Sequence, residues 1–466
     1  MSKFLKISNL KKTLRYLKKN GIRPTYYAMK ERMETESADD YTYVPPTEES
    51  LLEQKKKAEQ MTTRFSILVP AFETKEEHLR AMIDSVLSQT YGNFELIISD
   101  ASSSEKVEKV VAAYTDERIK YRKKGQNAGI SANTSQALAY ATGDYAGLLD
   151  HDDILTRDAL YEMASCIEKY KKEGVLLQLL YSDEDKCDGM EKRYYEVNRK
   201  PDFNLDLLLS NNYICHFMVM KRQLMQELGF RSVCDGAQDY DIAVRAVNVM
   251  MGKDRQPVKK EPLPIAHIPK VLYHWRCHEN STAENPASKQ YAYDAGKRAV
   301  EDFLRTRGWK GTVSHLRHLG FYRTDYQPDL LPNREDVAVV GGKLIDGKNK
   351  IAGGIYTRKG EPLYKGLHRE YSGYMHRAAL QQEAEVVDIR CMKVSREAEL
   401  VLEEMTGMPY HPHPGTGRFD WKKCFEKDRG LSEEEILDLS RRFCERIRQM
   451  GYRIVWEPVM VEKLGK

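Results

Sequence analysis

The sequence predicts an α/β protein. A mostly parallel sheet with helices on both faces is preceded by a helical extension and followed by a smaller α/β domain. Three observations lead there. First, between Phe65 and Asp150 short apolar runs of strand length alternate with stretches of helix length. That alternation is the signature of strand–helix–strand units, whose crossovers make neighbouring strands parallel. Second, the runs stop at residues suited to a sheet rim: Pro70, Asp100 and Asp150. Third, after a looser middle stretch, a fresh buried-type strand begins at Val337.

The elements follow in order. Met1 to Arg32 holds ten Lys or Arg against one acid, Glu31, with Phe4, Leu5, Leu10, Leu14 and Leu17 near helical spacing. This is a basic amphipathic helix, suited either to an anionic bilayer surface or to packing on the main domain. Residues 33–62 are polar, with Pro45-Pro46 and the run Glu53 to Lys57, and read as a linker plus a surface helix. Strands are expected at 65–72, 94–100, 119–122 and up to Asp150, with helices near 76–89, 105–114 and 131–141 between them. Beyond Lys172 come strands at 176–181, 212–220 and 265–273 and a helix at 238–249. Helices near 396–405 and 432–450 and a last strand at 452–458 complete the chain. The expected domains are residues 1–62, 63–328 and 329–466.

Composition narrows the function classes. The chain has 466 residues, 31% of them charged and 41% hydrophobic, as in ordinary globular proteins. Its net charge of +4 gives no case for nucleic acid as a partner. The eight cysteines form no CxxC pair and no zinc or disulfide spacing, so a reducing, cytoplasmic setting is expected. Neither a signal peptide nor a membrane span of about 18 apolar residues is visible.

The chemistry concentrates in Tyr145-Ala-Gly-Leu-Leu-Asp-His-Asp-Asp153. On an extended backbone Asp150 and Asp152 share a face. Two hard oxygen donors there suit Mn²⁺ or Mg²⁺, and such a cation suits a nucleotide diphosphate. The other reading is a solvated turn, with Asp153 capping a helix that begins near Thr156. Ligands of parallel sheets bind beyond the C-terminal strand ends, where Pro70, Ala71, Phe72, Glu73, Asp100 and Asp150 to Asp153 all fall. Neither GxGxxG nor GxxxxGK[ST] occurs, so a nucleotide would be held without those loops. Asp100 could accept from a base or ribose, and the turn Asn127-Ala-Gly129-Ile-Ser131 could offer amides to a ligand. For each of these a plain turn is the alternative.

Four motifs occur in order: Ile67-Leu-Val-Pro-Ala-Phe72, Phe94 to Asp100, Asn127 to Ser131, and Leu148-Leu-Asp-His-Asp-Asp153. Together they resemble the Rossmann-like GT-A domain of glycosyltransferase family 2, over about residues 64 to 325. Tyr181-Ser-Asp-Glu-Asp-Lys186, Asp235-Gly-Ala-Gln-Asp-Tyr-Asp241 and Leu272-Tyr-His-Trp-Arg-Cys-His278 with Ser281-Thr282 resemble bacterial members that build rhamnose-rich and O-antigen-type polysaccharides. The resemblance implies a nucleotide pocket at Pro70 to Glu73 and base contact at Asp100. It also implies ribose and metal–diphosphate contact at Asp150, His151 and Asp152. The resemblance makes Asp239, beside Gln238, the general base of an inverting transfer; the alternative is a first-turn helix residue favoured by the dipole. His274 would complete the metal shell, Arg276 would grip a phosphate, and Asp183 and Asp185 would touch donor sugar or acceptor. Asp241 and Arg245, at i,i+4, read as a surface helix pair.

The C-terminal part, with Val339 to Ile345, Ile351-Ala-Gly-Gly354 and Gly451 to Pro458, resembles the later half of a second such domain. It lacks the nucleotide-binding half, and Phe419-Asp-Trp-Lys-Lys423 is the nearest remnant of a base motif. It is expected to serve dimerisation, acceptor binding or docking. The function expected is transfer of a sugar from a UDP- or dTDP-sugar to a cell-surface or lipid-linked glycan, at the inner face of the membrane. A sugar nucleotidyltransferase and a non-catalytic scaffold are the rival readings.

Overall fold

The structure is a computed structural model describing residues 7–35, 41–252, 262–277, 290–413, 416–421 and 430–464. His278, Ser281, Thr282, Lys422, Lys423 and the first basic residues, Lys3 and Lys6, lie outside the described residues.

The helices are α1 (Ile7–Asn20), α2 (Ile22–Thr35), α3 (Glu48–Ala58), α4 (Glu76–Leu87), α5 (Lys106–Val111), α6 (Ile130–Ala139) and α7 (Ala159–Lys172). They continue with α8 (Leu205–Ser210), α9 (Arg222–Leu228), α10 (Gln238–Met250), α11 (Gln290–Arg307), α12 (Arg396–Thr406) and α13 (Glu433–Gln449). The strands of the large sheet are β1 (Phe65–Ala71), β2 (Phe94–Asp100), β3 (Ile119–Lys123), β4 (Tyr145–Leu148), β5 (Ile154–Leu155), β6 (Leu179–Asp188), β7 (Tyr194–Asn198), β8 (Met218–Lys221) and β9 (Ile265–Cys277).

The nine strands run in the order β3-β2-β1-β4-β8-β6-β9-β5, with β7 on β6. The first four are mutually parallel, as the alternation predicts. β8 enters antiparallel between β4 and β6, and β6 and β9 are again parallel. Alternate residues of each strand feed two cores. Phe65, Ile67 and Val69 pack with Leu79, Met82, Val110 and Leu160 on one face. Leu68, Ile97 and Ala146 pack with Ala137, Met225, Ala243 and Val247 on the other. Burial on both faces explains why these strands are continuously apolar.

Beyond a two-stranded ribbon, Gly311–His315 with Tyr322–Tyr326, a second, five-stranded sheet is built on Val337–Ile345 and Arg453–Lys463, which pair in parallel. Helices α12 and α13 bury Val401, Leu402, Phe443 and Ile447 against it. Between the two sheets Arg334 is fully buried and ion-paired with Asp206 of α8 and with Asp336, its guanidinium lying over Trp309.

Three local expectations change. The strand expected at 212–220 is ordered as strand only from Met218; Asn212 to Phe217 instead form a loop that delivers polar side chains to the sheet rim. Residues 33–62 are more than a linker. Tyr41 donates to Asp185 Oδ2 at 2.7 Å, and Tyr43 packs edge-on against His274. The basic extension is two helices broken at Gly21, whose φ of +80° favours glycine. α2 docks on the second sheet's domain: Tyr27 stacks on His368, and Glu31 accepts from the Ser372 and Gly373 amides.

Candidate active site

Parallel strands deliver their C-terminal ends to one rim, and β1, β2 and β4 end there together: Ala71 pairs with Asp100, and β4 leads into Asp150. Past β1 the chain turns through Glu73, which has a φ of +48°. Its amide donates to Ser102 Oγ at 2.7 Å, and its carboxylate accepts from the Ser104 amide and hydroxyl. Phe72 beside it is 45% exposed, an apolar face open at the rim. Asp100 is fully buried and accepts from the Ser102 amide and the Tyr121 hydroxyl, at 2.8 and 2.7 Å. It shapes the loop beyond β2.

The turn before α6 is locked to the chain that precedes α10. Asn127 Oδ1 accepts from the Gly129 amide and from Asn133. The Ser131 amide donates to Asp235 Oδ1 at 3.0 Å. At Gly129, with φ of +94°, a Cβ would stand 2.2 Å from Asp235 Oδ2, so only glycine allows this approach. Gln238 Oε1 accepts from the Gly236 amide, closing the turn into α10.

The acidic loop sits at the centre. Asp150, His151 and Asp152 are partly exposed, whereas Asp153 is buried. Asp153 does not cap a helix: it accepts from the Tyr273 hydroxyl at 2.5 Å and the Arg276 amide at 2.7 Å. His151 Nδ1 lies 3.0 Å from Thr74 Oγ1, tying this loop to the one after β1. Desolvation, with the charges of Asp152 and Asp239, holds Asp150 above the usual carboxylate range, against the pull of His216 and His151. The Asp239 charge is thus felt at Asp150. Asp239 Oδ2 accepts from Asn212 Nδ2 at 3.0 Å. Repelling carboxylates brought together at a partly desolvated rim suit a divalent cation, which would relieve them.

Residues not singled out from the sequence complete this centre. Ligand atoms of Cys215, His216 and Asp239 all lie within 4.8 Å of one another. The His216 ring stacks on Tyr273 with centroids 4.7 Å apart, and its Nδ1 is 3.1 Å from Glu184 Oε2. Burial pushes the imidazole down, but Cys215 and Glu184 outweigh it and hold His216 well above the ordinary histidine range. Burial pushes the Cys215 thiol up to about 12. Glu184 stays low, at about 2: burial would raise it, and Lys200 and His216 more than offset that. Lys200 donates to the His216 carbonyl and is itself lowered by burial.

The register of β6 on β9 sorts the remaining acids and bases. Glu184 pairs with Tyr273, and Asp185 with His274. Alternation turns Glu184 and Tyr273 toward His216 and turns Asp185 and His274 the other way. His274 is therefore not beside Asp150 and Asp152. Its Nδ1 lies 2.5 Å from Asp185 Oδ1, and its ring is enclosed by Tyr43 and Tyr194. Asp183 accepts from the Lys200 amide and pairs with His267, so it too is occupied within the fold. Arg276, 1% exposed, donates to the Asp152 carbonyl, the Gly189 carbonyl and Glu191. It thereby holds the acidic loop in place. Asp241, expected on a surface, is fully buried between Arg231 and Arg245, which keep its carboxyl low despite burial.

The chain is similar to several known proteins. The family model "Glycosyl transferase family 2" matches residues 66–229. The uncharacterized protein y4gI of Sinorhizobium fredii is 38% identical over 249 residues, covering 52% of this chain and 26% of that protein. The O-antigen biosynthesis protein RfbC of Myxococcus xanthus is 30% identical over 254 residues, covering 54% of this chain and 19% of that protein. The chain thus spans about a quarter or less of the length of these two curated relatives. A mannosyltransferase from Pyrobaculum calidifontis, solved with GDP-Man and Mn²⁺, aligns over 62% of this chain and 75% of its own at 17% identity, with a TM-score of 0.40. Residues 66–229 thus form a domain that matches glycosyl transferase family 2.

Proposed function

We propose that this protein transfers a hexosyl or rhamnosyl group, with inversion, from a UDP- or dTDP-sugar to a cell-surface polysaccharide or lipid-linked glycan. The observation that carries the reading is the convergence of Asp150, Asp152 and Asp239 on one partly desolvated rim. Asp239 takes the proton of the acceptor hydroxyl as its oxygen bonds to the anomeric carbon, and the bond from that carbon to the diphosphate breaks on the opposite side. Asn212 holds the Asp239 carboxylate in position. Asp152 and Asp150 would hold Mn²⁺ or Mg²⁺, which supplies positive charge to the departing diphosphate. Pro70 to Glu73 and the Asn127–Ser131 turn frame the nucleoside side. His216, kept cationic over Glu184, faces the leaving group. The polysaccharide class of acceptor rests on the name of the RfbC relative.

The test is a pair of variants assayed with nucleotide sugars and Mn²⁺. Asp152→Asn is expected to lose donor hydrolysis and transfer together. Asp239→Asn is expected to bind donor and lose transfer by about 10²–10⁴-fold. Full transfer by Asp239→Asn removes the base assignment.

Position at the cytoplasmic face of a membrane is part of the same proposal. Among the described residues no helix is long and apolar enough to cross a membrane. α2 instead presents Ile22, Tyr26, Met29 and Met33 at i, i+4, i+7 and i+11, all exposed, beside Arg23 and Lys30. An apolar stripe flanked by cations fits an anionic bilayer surface. Flotation with vesicles rich in phosphatidylglycerol is expected, and Met29→Glu/Met33→Glu should abolish it. Dimer formation lost in the same variant, without flotation of the parent, would assign the stripe to a second copy.

A further inference from the structure

A second cavity lies away from the rim, where α2, the 316–321 loop, the 369–380 segment and the last strand meet. Its volume is about 300 Å³, and Leu316, Phe321, Leu380 and Val459 give it apolar walls. That is at the lower end for small-molecule sites. Its charged lining is unbalanced. Glu370 is held by Arg23 and Arg317, and Glu31 accepts from Ser372 and Gly373. Lys343, near the C-terminal end of its strand, is 5% exposed and lines the cavity. Among the described residues its ammonium has no hydrogen bond or carboxylate partner, only the Trp456 ring at 5.6 Å. Arg369 lines the same space, and its guanidinium likewise meets no carboxylate there. Burial and the charges of Arg369 and Arg317 lower Lys343 to about 8, and the Glu370 and Glu457 carboxylates offset them only in part. His318 and His376, stacked with centroids 3.8 Å apart, are kept neutral by burial, at about 4 and about 3. The ring nitrogens of His318 engage no partner among the described residues.

We infer that this cavity binds a phosphate ester, held by Lys343, Arg369 and His318 and separate from the donor site. A buried ammonium without a hydrogen bond is costly. A second cation set against it raises that cost unless an anion sits between them. Lys343 offers a point charge, Arg369 a planar fork and His318 a neutral N–H; together they match the several terminal oxygens of a phosphate better than the two of a carboxylate. The apolar walls take the ester's organic part. Because the cavity is assembled from the N-terminal helices, the first domain's tail and the second sheet's domain, its ligand would brace all three.

The test uses the full chain without divalent metal, so that the donor site contributes little. Inorganic phosphate, butyl phosphate and acetate are titrated by calorimetry against the parent, Lys343→Met and Arg369→Met. Saturable phosphate binding is expected, at least tenfold tighter than acetate, tighter still for butyl phosphate, and weakened at least tenfold in each variant. Lys343→Met, which replaces an unpartnered buried cation with an apolar chain of like shape, is expected to raise Tm without ligand and to lose the Tm increase that phosphate gives the parent. Displacement of butyl phosphate by vesicles containing phosphatidic acid would place the ester on a lipid head group; no displacement would place it on a soluble molecule. Absence of saturable phosphate binding, equal affinity for acetate, or unchanged binding by Lys343→Met overturns the inference. None of these results bears on Asp152 or Asp239, whose variants test the transfer reading separately.

Discussion

Replacing Glu184 with Gln tests the electrostatic design of the rim. Glu184 is 8% exposed and faces two cations, with Oε2 3.7 Å from Lys200 Nζ and 3.1 Å from His216 Nδ1. Its carboxyl sits at about 2, well below the ordinary glutamate range. That depression corresponds to about 3 kcal/mol of preferential stabilisation of the charged form. Gln keeps the shape, but its single amide oxygen can accept from Asn198 or from the His216 amide and not from both, and Lys200 stays buried without its counter-charge. The expected loss is therefore about 3 kcal/mol at pH 7, within the range for breaking a buried pair. The sign in pH follows from a depressed carboxylate. The stabilisation is fully present above the unfolded value near 4.5 and is lost as pH falls toward 2, so parent and variant should converge on acidification. Urea unfolding at pH 7, 5, 4 and 3 measures this, with coincident fluorescence and circular-dichroism transitions as the condition for a single free energy. A loss below about 1 kcal/mol at pH 7, or a loss constant down to pH 3, would refute the account.

Other expectations follow from the same interactions. Arg334→Ala strands Asp206 and Asp336 in a buried site between the two sheets and should cost about 3–5 kcal/mol; chemical denaturation checks it. Lys343, lowered in the folded state, makes the parent gain stability with pH between about 8 and 10.5, and Lys343→Met should flatten that rise in melting curves. Gly147→Ala would place a Cβ 2.8 Å from the Phe217 ring and should cost about 1–3 kcal/mol by overpacking, read from the shift in Tm.

What the sequence reveals here is what depends on local pattern. The parallel half of the sheet was legible because Phe65 to Ala71 and Phe94 to Asp100 are apolar on both faces and stop at rim residues. The acidic loop was legible for the same reason: its residues follow directly from β4. The loop from Asn212 to Phe217 was not. Tyr213, Ile214 and Phe217 give it a strand-like composition, and nothing local signals that Cys215 and His216 turn toward Asp239. Only the antiparallel insertion of β8 between β4 and β6 puts them there.

The sorting of acids in Ser182-Asp-Glu-Asp185 makes the same point with a sharper physical cause. As a turn, all three carboxylates could reach a ligand, and Asp183 and Asp185 were the natural choices. As the interior of β6 they must alternate. The register that sets Glu184 on Tyr273 and Asp185 on His274 sorts those two acids, and a register shift on either side of Asp183 sets it apart. Glu184 goes to His216. Asp185 and His274 go to each other, with Tyr41 and Tyr43 closing over them, and Asp183 goes to His267. A slip of one residue would exchange the two sets and put Asp185 and His274 at the rim. His274→Gln separates the alternatives. With the register found here it disturbs the buried Asp185 contact, lowering Tm while leaving the Mn²⁺ concentration for half-maximal activity unchanged. A rise in that metal requirement, without loss of Tm, would mean that His274 belongs to the acidic loop after all.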